Sequence, residues 1–195
     1  MLFDTIERKK YLVCDDLLSS TEQNTIKNTL FDVYFPWFLI EHRDNKDNFT
    51  STNLKSKNKN VKEYVKLVHS FYKLGKTNAS PHKNVVDLIL QKILHKFNLT
   101  QINLIRAKAN LQTSSSNVKK NNHSTPHTDT NDKHLVIIYY VNNSDGDTVI
   151  FNNDKVFKKI SPKMGRILIF DGSLKHAAGY PIKSQIRSVI NINVK

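Results

Sequence analysis

Residues 125–142 read TPHTDTNDKHLVIIYYVN. Two histidines, His127 and His134, and two acids, Asp129 and Asp132, stand just ahead of an unbroken apolar and aromatic run. A short run of that kind, rich in Val, Ile and Tyr and bounded by polar residues, predicts a buried strand over 135–141. The corner His127-Thr128-Asp129 has two readings. It is a solvated turn in which Asp129 caps backbone N–H groups, or it supplies two ligands of a metal centre at the mouth of a barrel, since residues i and i+2 of an extended chain point the same way.

Working outward, further strands are predicted at 148–151, 155–160, 166–170 and 186–194, with Asn, Asp and Gly turns between them. Upstream, Ile105, Ala107, Ala109 and Leu111 alternate with Leu104, Arg106, Lys108 and Asn110, which predicts another strand. Residues 112–125 are read as a polar loop and a hypothetical lid over substrate. The first hundred residues read as helices and loops. Ser20-Thr21-Glu22-Gln23 resembles a capping box, with Gln23 three residues after Ser20, opening a helix toward Phe31. Residues 43–60 are a polar loop, and 61–74 reads as a helix closed by Gly75. In 84–97 Val86, Leu90, Ile93 and Phe97 recur at helical spacing. Helices first and antiparallel strands later predict one α+β domain, in which a helical 1–100 packs on a sandwich or barrel formed by 101–195.

A chain of 195 residues with 38% hydrophobic and 9% aromatic side chains is long and apolar enough to bury a core. The single cysteine, Cys14, excludes an internal disulfide framework and a cysteine-cluster zinc site. The longest apolar run is too short to span a bilayer, and Asp4 and Glu7 fall where a signal peptide would be basic and then apolar. The expectation is therefore a cytoplasmic protein with no membrane partner. A net charge of +13 points to an anionic partner such as nucleic acid, an acidic protein or small carboxylates. Against nucleic acid, only Arg8, Arg43, Arg106, Arg166 and Arg187 are arginine, the residue suited to forked phosphate recognition. The joint excess of Lys, Asn and Ile is also what an AT-rich genome produces.

A mononuclear iron(II) centre for oxygen chemistry needs two neutral imidazoles and one carboxylate on one face of the metal, with the other positions open. His127 and Asp129 supply two ligands, and His176, after the strand RILIF and the turn Asp171-Gly172-Ser173, supplies the third. Arg187 follows His176 by 11 residues, on a strand where it meets a co-substrate carboxylate. Spacing alone does not decide this, because His42, Asp44, His95 and Arg106 fit nearly the same numerical template. Context separates the two sets: His42 opens a Lys/Asn-rich loop and His95 sits in a helix. In the last strand Arg187, Val189, Asn191 and Asn193 share one face, opposite Ile186, Ser188, Ile190 and Ile192. A polar face carrying one arginine suits a barrel interior lined for an anionic ligand, and Asn191 is a further candidate for the co-substrate pocket.

The same residues resemble the 2-oxoglutarate- and iron(II)-dependent dioxygenases, in particular the prolyl 4-hydroxylase-like branch, over roughly residues 102–194. Pro126-His127-Thr128-Asp129 is similar to that family's His-x-Asp corner, and Tyr139-Tyr140-Val141-Asn142 to its strand ending in Tyr-Leu-Asn. Gly146-Asp147-Thr148 with Phe151 resembles its Gly-Gly-Glu-Thr turn, and Pro162 to Phe170 the strand before its distal histidine. The resemblance implies a double-stranded β-helix (jelly-roll, cupin-like) with N-terminal bracing helices. It implies Fe(II) held by His127, Asp129 and His176, with 2-oxoglutarate and O2 as co-substrates and ascorbate as a stimulant. It also implies that Arg187 pairs with the far carboxylate of 2-oxoglutarate and that Tyr140 donates a hydrogen bond to it. The first barrel strand departs from the family in carrying Arg106, Lys108 and Asn110 where many relatives have an aromatic residue. Three functions stay open at this point. They are hydroxylation of a protein or peptide, most simply at proline, with release of succinate and CO2; oxidation of nucleic acid or a free small molecule; and binding by a barrel without catalysis.

Overall fold

The computed structural model describes residues 2–40, 66–76, 79–114 and 123–195. The elements run α1 (Leu2–Lys9), β1 (Tyr11–Cys14), α2 (Ser20–Leu30), β2 (Phe38–Ile40), β3 (Lys66–Lys73) and α3 (Asn84–Lys96). They continue as β4 (Leu104–Thr113), β5 (Leu135–Tyr140), β6 (Thr148–Asn152), β7 (Lys155–Ile160), β8 (Ile167–Asp171), β9 (His176–Ala178) and β10 (Ile186–Val194). Seven strands form one sheet in the order β1-β8-β5-β10-β4-β3-β2, and three form a second in the order β7-β6-β9. All the pairings are antiparallel. Segment 123–127 extends the small sheet beyond β9, with His123 bridging Gly179 and His127 bridging His176. Two facing antiparallel sheets braced by helices on the outside of the larger one are the double-stranded β-helix expected from the sequence.

The unbroken apolar run of β5 is explained by burial on both faces. Leu135, Ile137 and Tyr139 join a core with the helix residues Leu2, Ile6, Ile26, Leu30, Val86, Ile89 and Ile93. Val136, Ile138 and Tyr140 turn inward, to a second cluster with Ile150, Ile160, Leu168, Phe170 and Val189. β8 and β10 follow the same rule, with Ile190 and Ile192 on the helix side and Val189 inside.

The first hundred residues depart from the helical expectation. Lys66–Lys73 is a strand, not the end of a helix, because it pairs along its length with the edge that β4 offers. Its buried residues, His69 and Phe71, alternate with exposed Ser70, a period of two that outweighs local helix propensity. The short strands β1 and β2, also read as non-strand, join the same sheet, so the sheet crosses the boundary drawn at residue 100. α2 begins one residue earlier than read: Ser19 caps it, with the Glu22 carboxylate accepting from the Ser19 N–H in return. The loop read at 43–60, residues 61–65 of the predicted helix, and residues 115–122 of the predicted lid lie outside the described residues.

The approach to β10 is clasped by one side chain. The Asp145 carboxylate accepts from the backbone N–H groups of Ile182, Lys183 (2.8 Å) and Ser184 (3.0 Å). Partial burial pushes its pKa up, but these donors outweigh that and bring it down to about 2. A carboxyl whose folded pKa is depressed adds stability at neutral pH and loses it as pH falls. Asp145→Ala is therefore expected to lower the urea midpoint at pH 7, with the gap to the wild type closing between pH 4 and 2. A gap that stayed constant over that range would count against the clasp.

Candidate active site

His127 and His176 are placed by backbone pairing before their side chains are considered. The His127 N–H donates to the His176 carbonyl at 3.0 Å, and the His176 N–H returns the bond at 2.9 Å. Their rings consequently lie side by side, with centroids 4.8 Å apart. The His127 Nδ1 faces the Thr125 carbonyl at 3.1 Å, which leaves Nε2 to point at the acid. Asp129 is buried, and its two oxygens stand 3.9 Å from the His127 Nε2 and 3.8 Å from the His176 Nε2. One potential ligand atom from each residue lies within 4.8 Å of the others, the single such group of His, Cys, Asp and Glu among the described residues. His134 and Asp132 take no part: the His134 ring is turned onto the Asp132 carbonyl at 2.7 Å.

The electrostatics suit metal binding. Burial pulls both imidazoles below their ordinary pKa, His176 to about 4, although Asp129 opposes the shift. Burial pushes Asp129 upward, but His176, Arg106, Lys108 and His127 outweigh it and hold the carboxyl well below the usual range. At neutral pH the donor set is thus two neutral imidazoles and one carboxylate, the set that suits a mononuclear non-haem iron(II).

Asp129 is held from β4 and β10. Arg106 approaches one carboxylate oxygen at 2.6 Å, while the Asn191 and Asn193 amides donate to the other at 3.0 and 3.1 Å. Adjacent-strand register explains the convergence, because Arg106 lies opposite Asn193 and Lys108 opposite Asn191. Asn191, expected at the co-substrate, lines the pocket but gives its hydrogen bond to Asp129. Arg106, which belonged to the competing template with His95, serves the other site; His95 is exposed on α3, and His42 and Asp44 lie outside the described residues. Partners that orient a ligand are worth about 10–100-fold in metal affinity. Asn191→Ala and Asn193→Ala are each expected to weaken Mn(II) binding by roughly that factor without unfolding the protein; unchanged titration curves would show that the amides do not orient Asp129.

Arg187 lies at the other end of the same face of β10. It is buried, and its guanidinium donates to the Gly146 carbonyl (2.6 Å), the Thr148 hydroxyl (2.8 Å) and the Gln112 side-chain carbonyl (3.3 Å). The Tyr140 hydroxyl donates to the same Thr148 oxygen at 2.7 Å. Burial pushes the Tyr140 phenol up to about 12, so it stays a donor. Tyr140 therefore reaches the Arg187 environment through Thr148. Thr148 accepts both bonds and keeps its own hydroxyl proton to give to a ligand. Thr148 and Gln112 were not singled out from sequence. The Gly146-Asp147-Thr148 turn was noticed, but the role of its last residue depends on where Arg187 folds. Gly146 is fixed by close approach, since a Cβ there would stand 2.6 Å from the Gly179 carbonyl oxygen and 2.9 Å from the Arg187 Cδ.

His127, His176, Thr148, Arg187, Asn191 and Lys108 line one pocket that opens to solvent. Its metal-ligand end and its arginine end are separated by about 13 Å of strand, four residues at roughly 3.3 Å each.

Residues 112–195 match the sequence profile of the 2OG-Fe(II) oxygenase superfamily. No curated protein sequence matches the chain. Among solved structures, an oxidoreductase of the 2OG-Fe(II) oxygenase family from Burkholderia pseudomallei superposes with a TM-score of 0.69 at 10% identity, over 98% of this chain and 88% of that one. A Trichoplax adhaerens prolyl hydroxylase, in complex with a hypoxia inducible factor oxygen degradation domain peptide fragment, gives 0.65 at 12% identity, over 100% and 87%. The viral collagen prolyl hydroxylase of Paramecium Bursaria Chlorella virus-1, in its 2OG complex, gives 0.58 at 17% identity, over 97% of each chain. These likenesses show the fold, and the matched segment, residues 112–195, is similar in sequence to the 2OG-Fe(II) oxygenase superfamily.

Proposed function

We propose that the chain is a 2-oxoglutarate- and Fe(II)-dependent hydroxylase of the prolyl hydroxylase-like kind, acting on a protein or peptide. The observation that carries this reading is the convergence of His127, Asp129 and His176 at a pocket that also holds the buried Arg187–Thr148 pair. In the reading, His127, Asp129 and His176 hold iron through the His127 and His176 Nε2 atoms and one Asp129 oxygen. Arg187 and Thr148 bind the far carboxylate of 2-oxoglutarate, which fixes the near end of that molecule at the metal. Iron(II) with 2-oxoglutarate supplies the oxidising chemistry, in which O2 is consumed, succinate and CO2 leave and a substrate C–H bond is hydroxylated. The protein contributes ligand geometry, a matched charge at each end of the co-substrate and a pocket shielded by two sheets. Prolyl as the substrate class draws its support from the two hydroxylases of similar fold, one of them bound to a peptide fragment.

The test is release of succinate from 2-oxoglutarate by the iron-loaded protein, against panels of proline-containing peptides, oligonucleotides and free amino acids. Stimulation by proline peptides alone is the expected result. Stimulation by oligonucleotides or free amino acids instead would replace the substrate class, and no succinate with any panel would remove the enzymatic reading.

A further inference from the structure

The pocket holds more positive charge than iron and 2-oxoglutarate need. Among the described residues its lining carries Arg187, Lys108 and Lys66 and no carboxylate. Asp129, just behind it, is matched by Arg106. Ferrous ion and the 2-oxoglutarate dianion cancel each other. Arg187 and Lys108 therefore leave the loaded pocket positive. Burial, then the neighbouring Lys66 and Arg106 charges, pull the Lys108 pKa down to about 7, with Asp129 opposing. An ammonium crowded by like charges in a low-dielectric pocket is stabilised by an anion.

The register separates Lys108 from the co-substrate carboxylate site. Lys108 stands opposite Asn191, the residue that holds Asp129, so it is level with the metal ligands. Gln112, which receives the Arg187 bond, lies four residues farther along β4, about 13 Å away along the strand. Lys66, by contrast, lies opposite Gln112 in the sheet, away from that level.

We infer that Lys108, on the first barrel strand, is the subsite for a carboxylate of the substrate that is hydroxylated, held beside the metal. The inference rests on the proposed hydroxylase reading and narrows its substrate. The reacting carbon lies close to a carboxylate, supplied by an acidic residue beside it in a peptide or by the α-carboxylate of a C-terminal residue.

The test uses the full chain loaded anaerobically with Mn(II) and 2-oxoglutarate, and reads paramagnetic broadening of probe proton lines. The probes are N-acetyl-proline and its amide, and the capped dipeptides Glu-Pro and Gln-Pro. The expected result is that at least one acid probe binds about tenfold more tightly than its neutral partner, a charge-assisted bond being the difference. That preference is expected to vanish in Lys108→Met and persist in Lys108→Arg. The responding acid tells the α-carboxylate source from the side-chain source. Equal broadening by acid and neutral probes, no broadening by any of them, or a preference that survives Lys108→Met would overturn the inference. So would a tenfold loss of 2-oxoglutarate affinity in Lys108→Met, which would assign Lys108 to the co-substrate. Failure of the underlying reading has a separate signature: the wild type would not bind Mn(II) and 2-oxoglutarate at all.

Discussion

His176→Ala is expected to remove metal binding while leaving the fold intact. The variant loses one of three donors but leaves no buried charge unmatched, because His176 is neutral in the folded protein. Its place in the sheet is set by backbone bonds to His127, which alanine makes equally well. The affinity loss should exceed the roughly 100-fold upper figure for a residue that only orients a ligand. Titration with Mn(II), followed by electron paramagnetic resonance, measures it. Asp129→Ala should cost the same affinity and also destabilise the protein, since it takes away the carboxylate that Arg106 faces at 2.6 Å in the barrel. Breaking such a buried pair from one side costs about 3–5 kcal/mol. The double variant Asp129→Ala/Arg106→Met should recover part of that stability and none of the metal binding. If Mn(II) affinity survived in both single variants, the metal would be held elsewhere.

Arg187→Met separates the co-substrate from the metal. It should leave Mn(II) affinity within about threefold and weaken 2-oxoglutarate by about 100-fold or more, since a charge-assisted bond is worth about 1.5–3 kcal/mol and the guanidinium offers two. Thr148→Val, which removes one neutral hydroxyl, should cost at most about tenfold. Gly146→Ala removes no binding group, yet its methyl would stand 2.9 Å from the Arg187 Cδ and against the Gly179 carbonyl, so it should follow Arg187→Met in direction. Calorimetric titration of 2-oxoglutarate into the Mn(II) protein reads all three. Retained binding in Arg187→Met would take the arginine out of the site, whatever the other two variants did.

Much of this centre was legible before any fold was known. His127, Asp129, His176 and Arg187 were identified from residue type, order and strand context; the structure brings the two histidines and Arg187 to one pocket and groups Asp129 with the histidines. What stood beside them was harder to read. Arg106 belongs to a strand whose alternation was recognised, but its partner Asp129 is 23 residues away and across a loop. Asn191 was placed on the correct face and lines the pocket, where its amide also holds Asp129. The Tyr140 hydroxyl, assigned by resemblance to the co-substrate, donates to Thr148, a partner no local pattern pointed to.

The chain by itself determined which segments bury which faces. The apolar runs of β5 and β8 and the alternation in β4 and β10 are local patterns, and solvent exclusion acts on them residue by residue. It likewise determined the donor types, because only a few side chains supply neutral nitrogen or anionic oxygen to a metal. The tertiary structure alone decided the registers. β3 became a strand because β4 had an edge to pair, and the Arg106–Asn191–Asn193 clamp exists because β4 and β10, some 80 residues apart, align Arg106 with Asn193. Backbone hydrogen bonds between distant strands set such alignments, and no short window of sequence carries both partners.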